Sequence, residues 1–238
     1  MASNSAHKSV TSDVPSGGLP AAVLWDMDGT LLDTEPYWIE QEHRLVESYG
    51  GVWSDEHAHN LVGNDLLVTA DYIRAHSPVD LEPEALVDRL QSGVIDRLRE
   101  EVPWRPGALE LLAELRSLGV PCALVTMSWR AMVDVVVDAL PAGSFDVVLS
   151  GDEVECGKPH PEPYLAAARD LGVDVRDCVA IEDSVTGVAS ALASGARTIA
   201  VPLVVQVPPR DGLTMLDSLD GVRATDLLPL TRPAGTQG

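Results

Sequence analysis

Between residues 108 and 201, helical periodicity alternates with short apolar runs, and this alternation limits the possible folds more than any other feature of the sequence. The predicted helices span 108–118, 129–140, 162–171 and 185–193, and the predicted strands span 122–126, 145–150, 178–181 and 198–201. Strands joined through helices lie parallel in one sheet, because each right-handed crossover returns the chain to the same end of the sheet. The alternation therefore predicts an α/β fold, a three-layer doubly wound parallel sheet with helices on both faces.

Another apolar run, at 21–25, precedes these elements and ends in Asp26 and Asp28, which are followed by Gly29. Alternate side chains of a strand share a face, so we expect both carboxylates at the carboxyl end of a buried strand, where open α/β sheets bind ligands. If the chain turns at Gly29, one carboxylate can hold a hard cation while the other handles a proton. A surface turn and a calcium loop are the alternatives, although the leucines at 31–32 stand where a calcium loop needs oxygen ligands.

The segment between this first strand and the regular alternation has helical periodicity. Apolar residues recur there at helical spacing, most clearly Leu86, Leu90, Val94 and Leu98, which we expect to form a buried stripe. The sequence therefore predicts an all-helical insert within the α/β domain, and a Pro-rich stretch from Pro202 that closes the edge of that domain. The predicted bounds are a disordered leader at 1–20, the α/β core at 21–34 and 103–232, the insert at 35–102 and a frayed tail at 233–238.

Composition excludes several classes of partner. A net charge of −21 and a pI near 4.4 argue against nucleic acid and anionic membranes, so an anionic substrate must be held by local cations, helix N-termini or a metal. No apolar run reaches the length of a membrane span or resembles a secretory signal, so we expect a cytoplasmic protein. We also expect a monomer or a weak dimer. Cys122, Cys156 and Cys178 cannot all pair in one chain, and we expect reduced thiols.

The strand at 122–126 also ends in polar groups. Thr126 can hydrogen-bond a phosphoryl oxygen, and the amides of Met127 and Ser128 lie where a helix N-terminus binds anions. The alternative is that Ser128 simply caps the helix that follows. This segment is therefore a candidate phosphate-binding loop.

Two further segments carry charged groups to strand or helix ends. Lys158 lies in a loop that Gly157 and the prolines at 159 and 161 make rigid, so its charge can offset that of a transferring phosphoryl group. The alternative is a solvated surface residue, as a lone lysine ordinarily is. The strand at 178–181 ends in Glu182 and Asp183 before a helix. Asp183 and Ser184 are both plausible N-caps, which is the alternative to a catalytic role.

In this order, the four segments resemble the motifs of the haloacid dehalogenase-like (HAD-like) phosphatases. The matching residues are Asp-Met-Asp-Gly-Thr at 26–30, the hydroxyl segment at 126–128, Gly-Lys-Pro at 157–159 and Glu-Asp at 182–183. The resemblance extends over about residues 21–201 and is weakest in the insert. It implies a HAD-like Rossmannoid core, with the insert in the position of the family's small helical cap.

The resemblance also implies a catalytic set and a Mg²⁺ cofactor. The first aspartate of the first motif, here Asp26, would attack phosphorus, and Asp28 would be the general acid and base. Thr126 and Lys158 would complete the catalytic residues. The implied metal ligands are Asp26, the carbonyl group of Asp28, Asp183 and, through water, Glu182. The expected phosphate- and substrate-binding residues are Gly29, Thr126, Met127, Ser128, Lys158, Trp38, Gly63 and Asn64.

The expected reaction is hydrolysis of a small phosphorylated metabolite, a sugar or polyol phosphate, through an aspartyl-phosphate. A phosphosugar mutase is one alternative, but β-phosphoglucomutases carry a histidine where Trp38 stands and an arginine near Leu66. A dehalogenase would share the nucleophile but would need neither Asp28 nor Asp183. A catalytically idle binding protein would be expected to have lost at least one of four residues, all of which are present: Asp26, Asp28, Lys158 and Asp183.

Overall fold

A six-stranded sheet lies at the centre of the computed structural model, which describes residues 18–231. All neighbouring strands pair in parallel, in the spatial order β3-β2-β1-β4-β5-β6. The strands are β1 Val23–Trp25, β2 Cys122–Val125, β3 Val147–Leu149, β4 Val179–Glu182, β5 Arg197–Ala200 and β6 Leu213–Met215. The predicted parallel α/β sheet is confirmed. Residues 1–17 and 232–238, which include most of the predicted leader and the predicted tail, lie outside the described residues.

Two apolar clusters lie on the two faces of this sheet, because successive side chains of a strand point to opposite sides. In β1, Val23 and Trp25 belong to one cluster and Leu24 to the other. The first cluster includes buried residues of α5 (Ala108–Ser117) and α6 (Arg130–Asp138). The second includes buried residues of α7 (Glu162–Leu171) and α8 (Val185–Ser194). The result is the three-layer arrangement expected for strands that are buried on both faces.

The edges of the sheet differ from the sequence prediction. The strand predicted at 145–150 is shorter, and all three residues of β3 are half-buried. The stretch from Pro202 contains an unpredicted strand, β6, which pairs with β5, and α9 (Leu227–Leu230) follows it. β6 has two half-buried residues and one exposed residue. Three residues at the edge of a sheet are too few to show an alternation of apolar and polar side chains in the sequence. Edge strands this short are set by pairing with a neighbour rather than by their own pattern.

Four helices between β1 and α5 form what we call the helical insert: α1 Glu35–Ser48, α2 Asp55–His59, α3 Leu66–His76 and α4 Pro83–Glu100. Local signals explain several of their starts. Pro83 is the first residue of α4, where its missing N–H has no intrahelical role. Asp65 caps α3, because its Oδ1 accepts hydrogen bonds from the amides of Leu67 and Val68.

The stripe predicted on α4 is buried, and it packs into two different clusters. Leu86 and Leu90 belong to an apolar cluster within the insert, whereas Val94 and Leu98 belong to the first cluster of the sheet, the one that contains Val23 and Trp25. One helix therefore ties the insert to the α/β core. Within the described residues, no helix combines the length and apolar character needed to cross a membrane.

Candidate active site

The strand order brings the predicted motifs to one place. Because β1 lies between β2 and β4, the carboxyl ends of these three strands are adjacent and face a cleft beneath the helical insert. Ten of the predicted residues line this cleft: Asp26, Asp28, Trp38, Gly63, Asn64, Thr126, Met127, Ser128, Lys158 and Asp183. Two predicted residues, Gly29 and Glu182, are not among the lining residues.

Lys158 is a buried lysine paired with two carboxylates. Its Nζ donates hydrogen bonds to Asp26 Oδ1 at 2.6 Å and to the carbonyl oxygen of Val125 at 2.9 Å, and it lies 2.7 Å from Glu182 Oε1. Burial lowers the pKa of Lys158, but the two carboxylates outweigh this effect and raise it above its usual value. The side chain is 2% exposed, which rules out a solvated surface lysine.

The loop that carries Lys158 is held in place by the helix that follows it. The two carboxylate oxygens of Glu162, at the start of α7, accept hydrogen bonds from the amides of Glu155 at 2.8 Å and Cys156 at 3.0 Å. A fixed backbone limits the positions open to the ammonium group. The positive charge is therefore positioned before any ligand arrives.

Asp26 offers one free oxygen beside this lysine. Its Oδ2 is buried and has no hydrogen-bond partner, whereas Oδ1 accepts from Lys158. Burial and the charge of Glu182 raise the pKa of Asp26 to about 7, although Lys158 opposes the shift. An unpaired, desolvated carboxylate oxygen is costly unless a ligand meets it.

A divalent cation fits this position. Carboxylate oxygens of Asp26, Glu182 and Asp183 lie within 4.8 Å of one another. The pKa of Asp183 is raised well above its usual value by burial and by the charges of Asp26 and Glu182. Hard cations prefer such oxygen ligands, and a bound cation would relieve the repulsion among these three carboxylates.

Gly29 shapes the cleft from behind. Its φ of +80° turns the chain after Asp28, and a Cβ at this position would collide with Oδ2 of Asp183. A glycine is required here because any side chain would push Asp183 away from Asp26. Gly29 therefore leaves room for the Asp183 carboxylate, although it does not itself line the cleft.

Asp28 is oriented by four side-chain donors. Oδ1 accepts from Thr34 Oγ1 at 2.5 Å and Trp38 Nε1 at 3.4 Å, and Oδ2 accepts from Ser128 Oγ at 2.7 Å and Thr126 Oγ1 at 3.2 Å. Ser128 therefore uses its hydroxyl on Asp28 and does not cap α6, whose first amide, that of Arg130, donates to Asp152 Oδ1 at 3.0 Å instead. Ser184, by contrast, caps α8 through a 3.0 Å bond from the amide of Gly187.

Glu182 lies behind Lys158, together with a residue that the sequence did not reveal. Oε1 of Glu182 accepts a 2.5 Å hydrogen bond from Tyr164 OH, in addition to its contact with Lys158. Glu182 and Tyr164 are both fully buried. A tyrosine on the apolar side of α7 is indistinguishable from a core residue in the sequence, because only the fold reveals what its hydroxyl meets.

The wall of the cleft formed by the insert contains two more unpredicted residues, Glu42 and Thr69. Trp53 Nε1 donates to Glu42 Oε2 at 3.0 Å, and burial raises the pKa of Glu42 to about 7. Glu35 lines the same wall, and burial followed by the charge of Glu42 raises its pKa to about 8. A charged residue on an amphipathic helix ordinarily faces solvent, so the sequence contains no sign that Glu42 is buried.

The loop before α3 closes the cleft against the core. Thr186 Oγ1, in the first turn of α8, donates a 2.6 Å hydrogen bond to the carbonyl oxygen of Gly63. Gly63 has a φ of +72°, and a Cβ there would lie 2.6 Å from Ser184 Cβ. The close approach of the insert to α8 therefore depends on a residue without a side chain.

Comparisons with known proteins agree with this site. The sequence profile of the family described as haloacid dehalogenase-like hydrolase matches residues 23–201. Hexitol phosphatase B of Escherichia coli (strain K12) is 33% identical over 213 residues, which cover 87% of this chain and 96% of that protein. The phosphorylated carbohydrates phosphatase of Thermotoga maritima is 32% identical over 187 residues, or 75% of this chain and 83% of that protein.

A solved structure shows the same architecture. A mutant of CbbY from Rhodobacter sphaeroides, crystallised with xylulose-(1,5)bisphosphate, superposes with a TM-score of 0.78 at 27% identity, covering 86% of this chain and 96% of that one. The family profile extends from β1 to the end of β5 and so includes all four motifs. The chain therefore belongs to the haloacid dehalogenase-like hydrolase family.

Proposed function

We propose that this protein is a Mg²⁺-dependent phosphatase that hydrolyses a small sugar or polyol phosphate through an aspartyl-phosphate intermediate. The observation that carries the proposal is the free, buried Oδ2 of Asp26 beside the fixed ammonium group of Lys158. The names of the two phosphatase relatives support the choice of phosphorylated carbohydrates.

Asp26 is the nucleophile in this proposal. Lys158 holds Oδ1, so the carboxylate cannot rotate freely and Oδ2 remains available to attack phosphorus in line with the leaving oxygen. The bond between Oδ2 and phosphorus forms while the bond from phosphorus to the alcohol oxygen breaks. Lys158 offsets the repulsion between the carboxylate and the phosphate dianion.

Asp28 handles the protons. Its carboxyl group gives a proton to the departing alcohol and then takes one from the water that attacks the aspartyl-phosphate. The hydroxyls of Thr34, Thr126 and Ser128 keep its oxygens in place. Thr126 and Ser128 are also our proposed phosphate-binding residues, together with Met127.

The proposed Mg²⁺ ligands are the carboxylates of Asp26 and Asp183 and the carbonyl group of Asp28, with Glu182 beyond them. When bound, the metal supplies positive charge for the oxygens of the transferring phosphoryl group. Glu182 has a second proposed task, since it holds the ammonium group of Lys158 from behind and is itself fixed by the hydroxyl of Tyr164.

We assign the helical insert, residues 35–102 in the sequence prediction, the role of a cap that excludes bulk water and selects the leaving group. Trp38, Gly63 and Asn64 are the proposed contacts of the cap with substrate. Among the described residues that line the cleft, Lys158 is the single lysine or arginine. The cleft therefore offers no second cationic side chain for the second phosphate group of a mutase's bisphosphate substrate. Water is therefore the proposed acceptor of the phosphoryl group.

The test is a phosphate-release screen of the purified protein with Mg²⁺ over sugar, polyol, nucleotide and glycolate phosphates. We expect release from sugar or polyol monophosphates. A second assay incubates β-glucose 1-phosphate with catalytic glucose 1,6-bisphosphate and follows ³¹P NMR. Accumulation of glucose 6-phosphate without inorganic phosphate would overturn the phosphatase proposal in favour of a mutase.

A further inference from the structure

We propose that Glu42 and Thr69 form a hydroxyl-reading subsite on the insert side of the cleft, which selects an uncharged, polyhydroxylated leaving group. This inference rests on the proposed phosphatase function and adds a specificity determinant to it. Both residues line the cleft across from the carboxyl ends of the strands.

Glu42 is a buried carboxylate with one occupied and one free oxygen. It is 4% exposed, and its Oε2 is fixed by Trp53 Nε1 at 3.0 Å. Within residues 18–231, no group donates a hydrogen bond to the other carboxylate oxygen of Glu42, Oε1. This oxygen is not one of the fully buried unpaired atoms of the described residues, so it is open to the cleft and can accept a hydrogen bond from a ligand hydroxyl.

Thr69, on α3, is a second and independent polar group of this kind. It is 4% exposed and lines the same cleft. Its hydroxyl makes no hydrogen bond to any part of the chain that the structure describes. A threonine hydroxyl offers one donor and two acceptor positions, and a carboxylate offers acceptors, so the two side chains complement the hydroxyls of a polyol.

The charges of the wall argue against anionic leaving groups. Glu35 lies on the same wall as Glu42, and in the described residues neither forms a salt bridge with a lysine or arginine. The one ammonium group at the cleft, on Lys158, already contacts Asp26 and Glu182. A carboxylate or second phosphate would therefore lose its hydration without gaining a cation, whichever protonation state the glutamates have.

The experiment compares two substrates with the same carbon chain, glucitol 6-phosphate and 6-phosphogluconate, which differ by a hydroxymethyl group in place of a carboxylate. Acetyl phosphate, which carries no hydroxyl, is the reference substrate. The full chain is assayed with Mg²⁺ as wild type, Glu42→Gln and Thr69→Val. Glu47→Gln, on an exposed position of the same helix, is the matched control. Circular dichroism establishes that each variant is folded.

We expect the wild type to prefer glucitol 6-phosphate to 6-phosphogluconate by about tenfold or more in kcat/KM. Thr69→Val should lower the ratio of kcat/KM for glucitol 6-phosphate to that for acetyl phosphate by about tenfold, the usual scale of one lost hydrogen bond. Glu42→Gln should reduce the discrimination against 6-phosphogluconate, and Glu47→Gln should behave as the wild type.

Three outcomes would overturn the inference while leaving the phosphatase proposal intact. They are equal use of the two substrates by the wild type, an unchanged substrate ratio in both variants, and a preference for glucosamine 6-phosphate over glucose 6-phosphate, which would indicate an ammonium site. If Glu42→Gln fails to fold, Thr69→Val alone still decides the matter. Absence of phosphate release from all substrates, acetyl phosphate included, would instead contradict the proposed function.

Discussion

At the scale of single residues, the cleft holds carboxylates in contrasting environments. Asp28 accepts four hydrogen bonds from side chains of α1 and its N-cap and from the loop after β2, whereas Asp26 has a buried oxygen with none. The first arrangement fixes an orientation, and the second leaves a reactive atom unengaged. The two neighbouring aspartates of this motif therefore suit the different steps that the proposed mechanism assigns to them.

The two roles predict separable kinetic effects. Asp26→Asn should prevent formation of any phosphoenzyme, because an amide is not a nucleophile for phosphorus. Asp28→Asn should still form the adduct, but should slow leaving-group departure and hydrolysis by roughly 10²-fold or more, the scale of general acid–base catalysis. Rapid quench followed by mass spectrometry of the intact protein measures the adduct. A phosphorylated Asp26→Asn protein would assign the nucleophile to another residue.

Glu42 predicts a pH-dependent stability. Burial raises its pKa from 4.5 to about 7, so the folded state binds a proton more tightly than the unfolded state does. This contribution to stability is complete below about pH 4.5 and is lost as the pH rises towards 7. Glu42→Gln, which stays neutral, should therefore be more stable than the wild type near pH 8, by about 1 to 3 kcal/mol.

Urea unfolding of both proteins from about pH 5 to pH 8 is the measurement, with Glu47→Gln on the exposed side of α1 as control. The stability difference between Glu42→Gln and wild type should grow with pH, while the control difference stays flat. A constant difference across this range would show that Glu42 is not a buried ionisable group in solution.

At the scale of elements, specific contacts join the insert to the core at several places. α4 contributes to the insert's own cluster and to one cluster of the sheet, and Gln91 on this helix accepts a 3.2 Å hydrogen bond from the amide of Trp129 at the start of α6. On the other side, the loop at Gly63 meets the first turn of α8. The insert is thus anchored along α4 and at Trp38 of α1, and it touches the core again at Gly63.

Gly63→Ala tests whether this contact shapes the closed cleft. The new methyl group would lie 2.6 Å from Ser184 Cβ and 2.9 Å from Thr186 Oγ1, so the loop must move away from α8. Gly50→Ala is the matched control, because its φ of +78° is similar but its Cβ would meet nothing within 4 Å. Both variants should lose about 1 kcal/mol of stability from the left-handed backbone.

Gly63→Ala alone should also lower kcat/KM for the phosphatase substrate, by about tenfold, since a displaced loop reopens the cleft to water. Steady-state kinetics and urea unfolding of the two variants give both quantities. Equal kinetics for the two proteins would mean that the approach of the insert to α8 does not matter for turnover.

At the scale of the whole molecule, a strongly acidic protein has to bind an anionic substrate. The net charge of −21 opposes the approach of a phosphate, and the cleft itself concentrates carboxylates around one lysine. A divalent cation at the proposed site would answer both problems, because it would lower the repulsion within the acidic cluster and attract the phosphate. The metal should therefore matter for stability as well as for turnover.

We expect EDTA to abolish turnover and Mg²⁺ to restore it. Saturating Mg²⁺ should also raise the melting temperature by about 5 °C or more, since a ligand at about 100 times its Kd adds about 2.7 kcal/mol. Differential scanning fluorimetry with and without Mg²⁺ gives this shift, and Asp183→Asn should remove most of it. Undiminished turnover in EDTA would contradict the proposed role of the metal.

The sequence by itself determined the parallel α/β sheet, the helical insert and the polar residues at the ends of β1, β2 and β4. These features depend on signals that are local in the chain: periodicity within a helix, apolar runs within a strand, and the residues that follow directly. The tertiary structure alone decided how these polar residues pair. Lys158 and Asp26 are 132 positions apart in the sequence, yet Lys158 Nζ donates a 2.6 Å hydrogen bond to Asp26 Oδ1.

The same reasoning explains what the sequence missed. Tyr164, Glu42 and Thr69 lie on helices whose patterns indicate an apolar or a solvated face, and only the packing of those helices turns their polar atoms towards Glu182 or the cleft. The stripe on α4 was readable, but its division between two clusters was not, because periodicity identifies a buried face without naming what covers it. Local patterns select elements, and the contacts that create chemistry arise between elements distant in the chain.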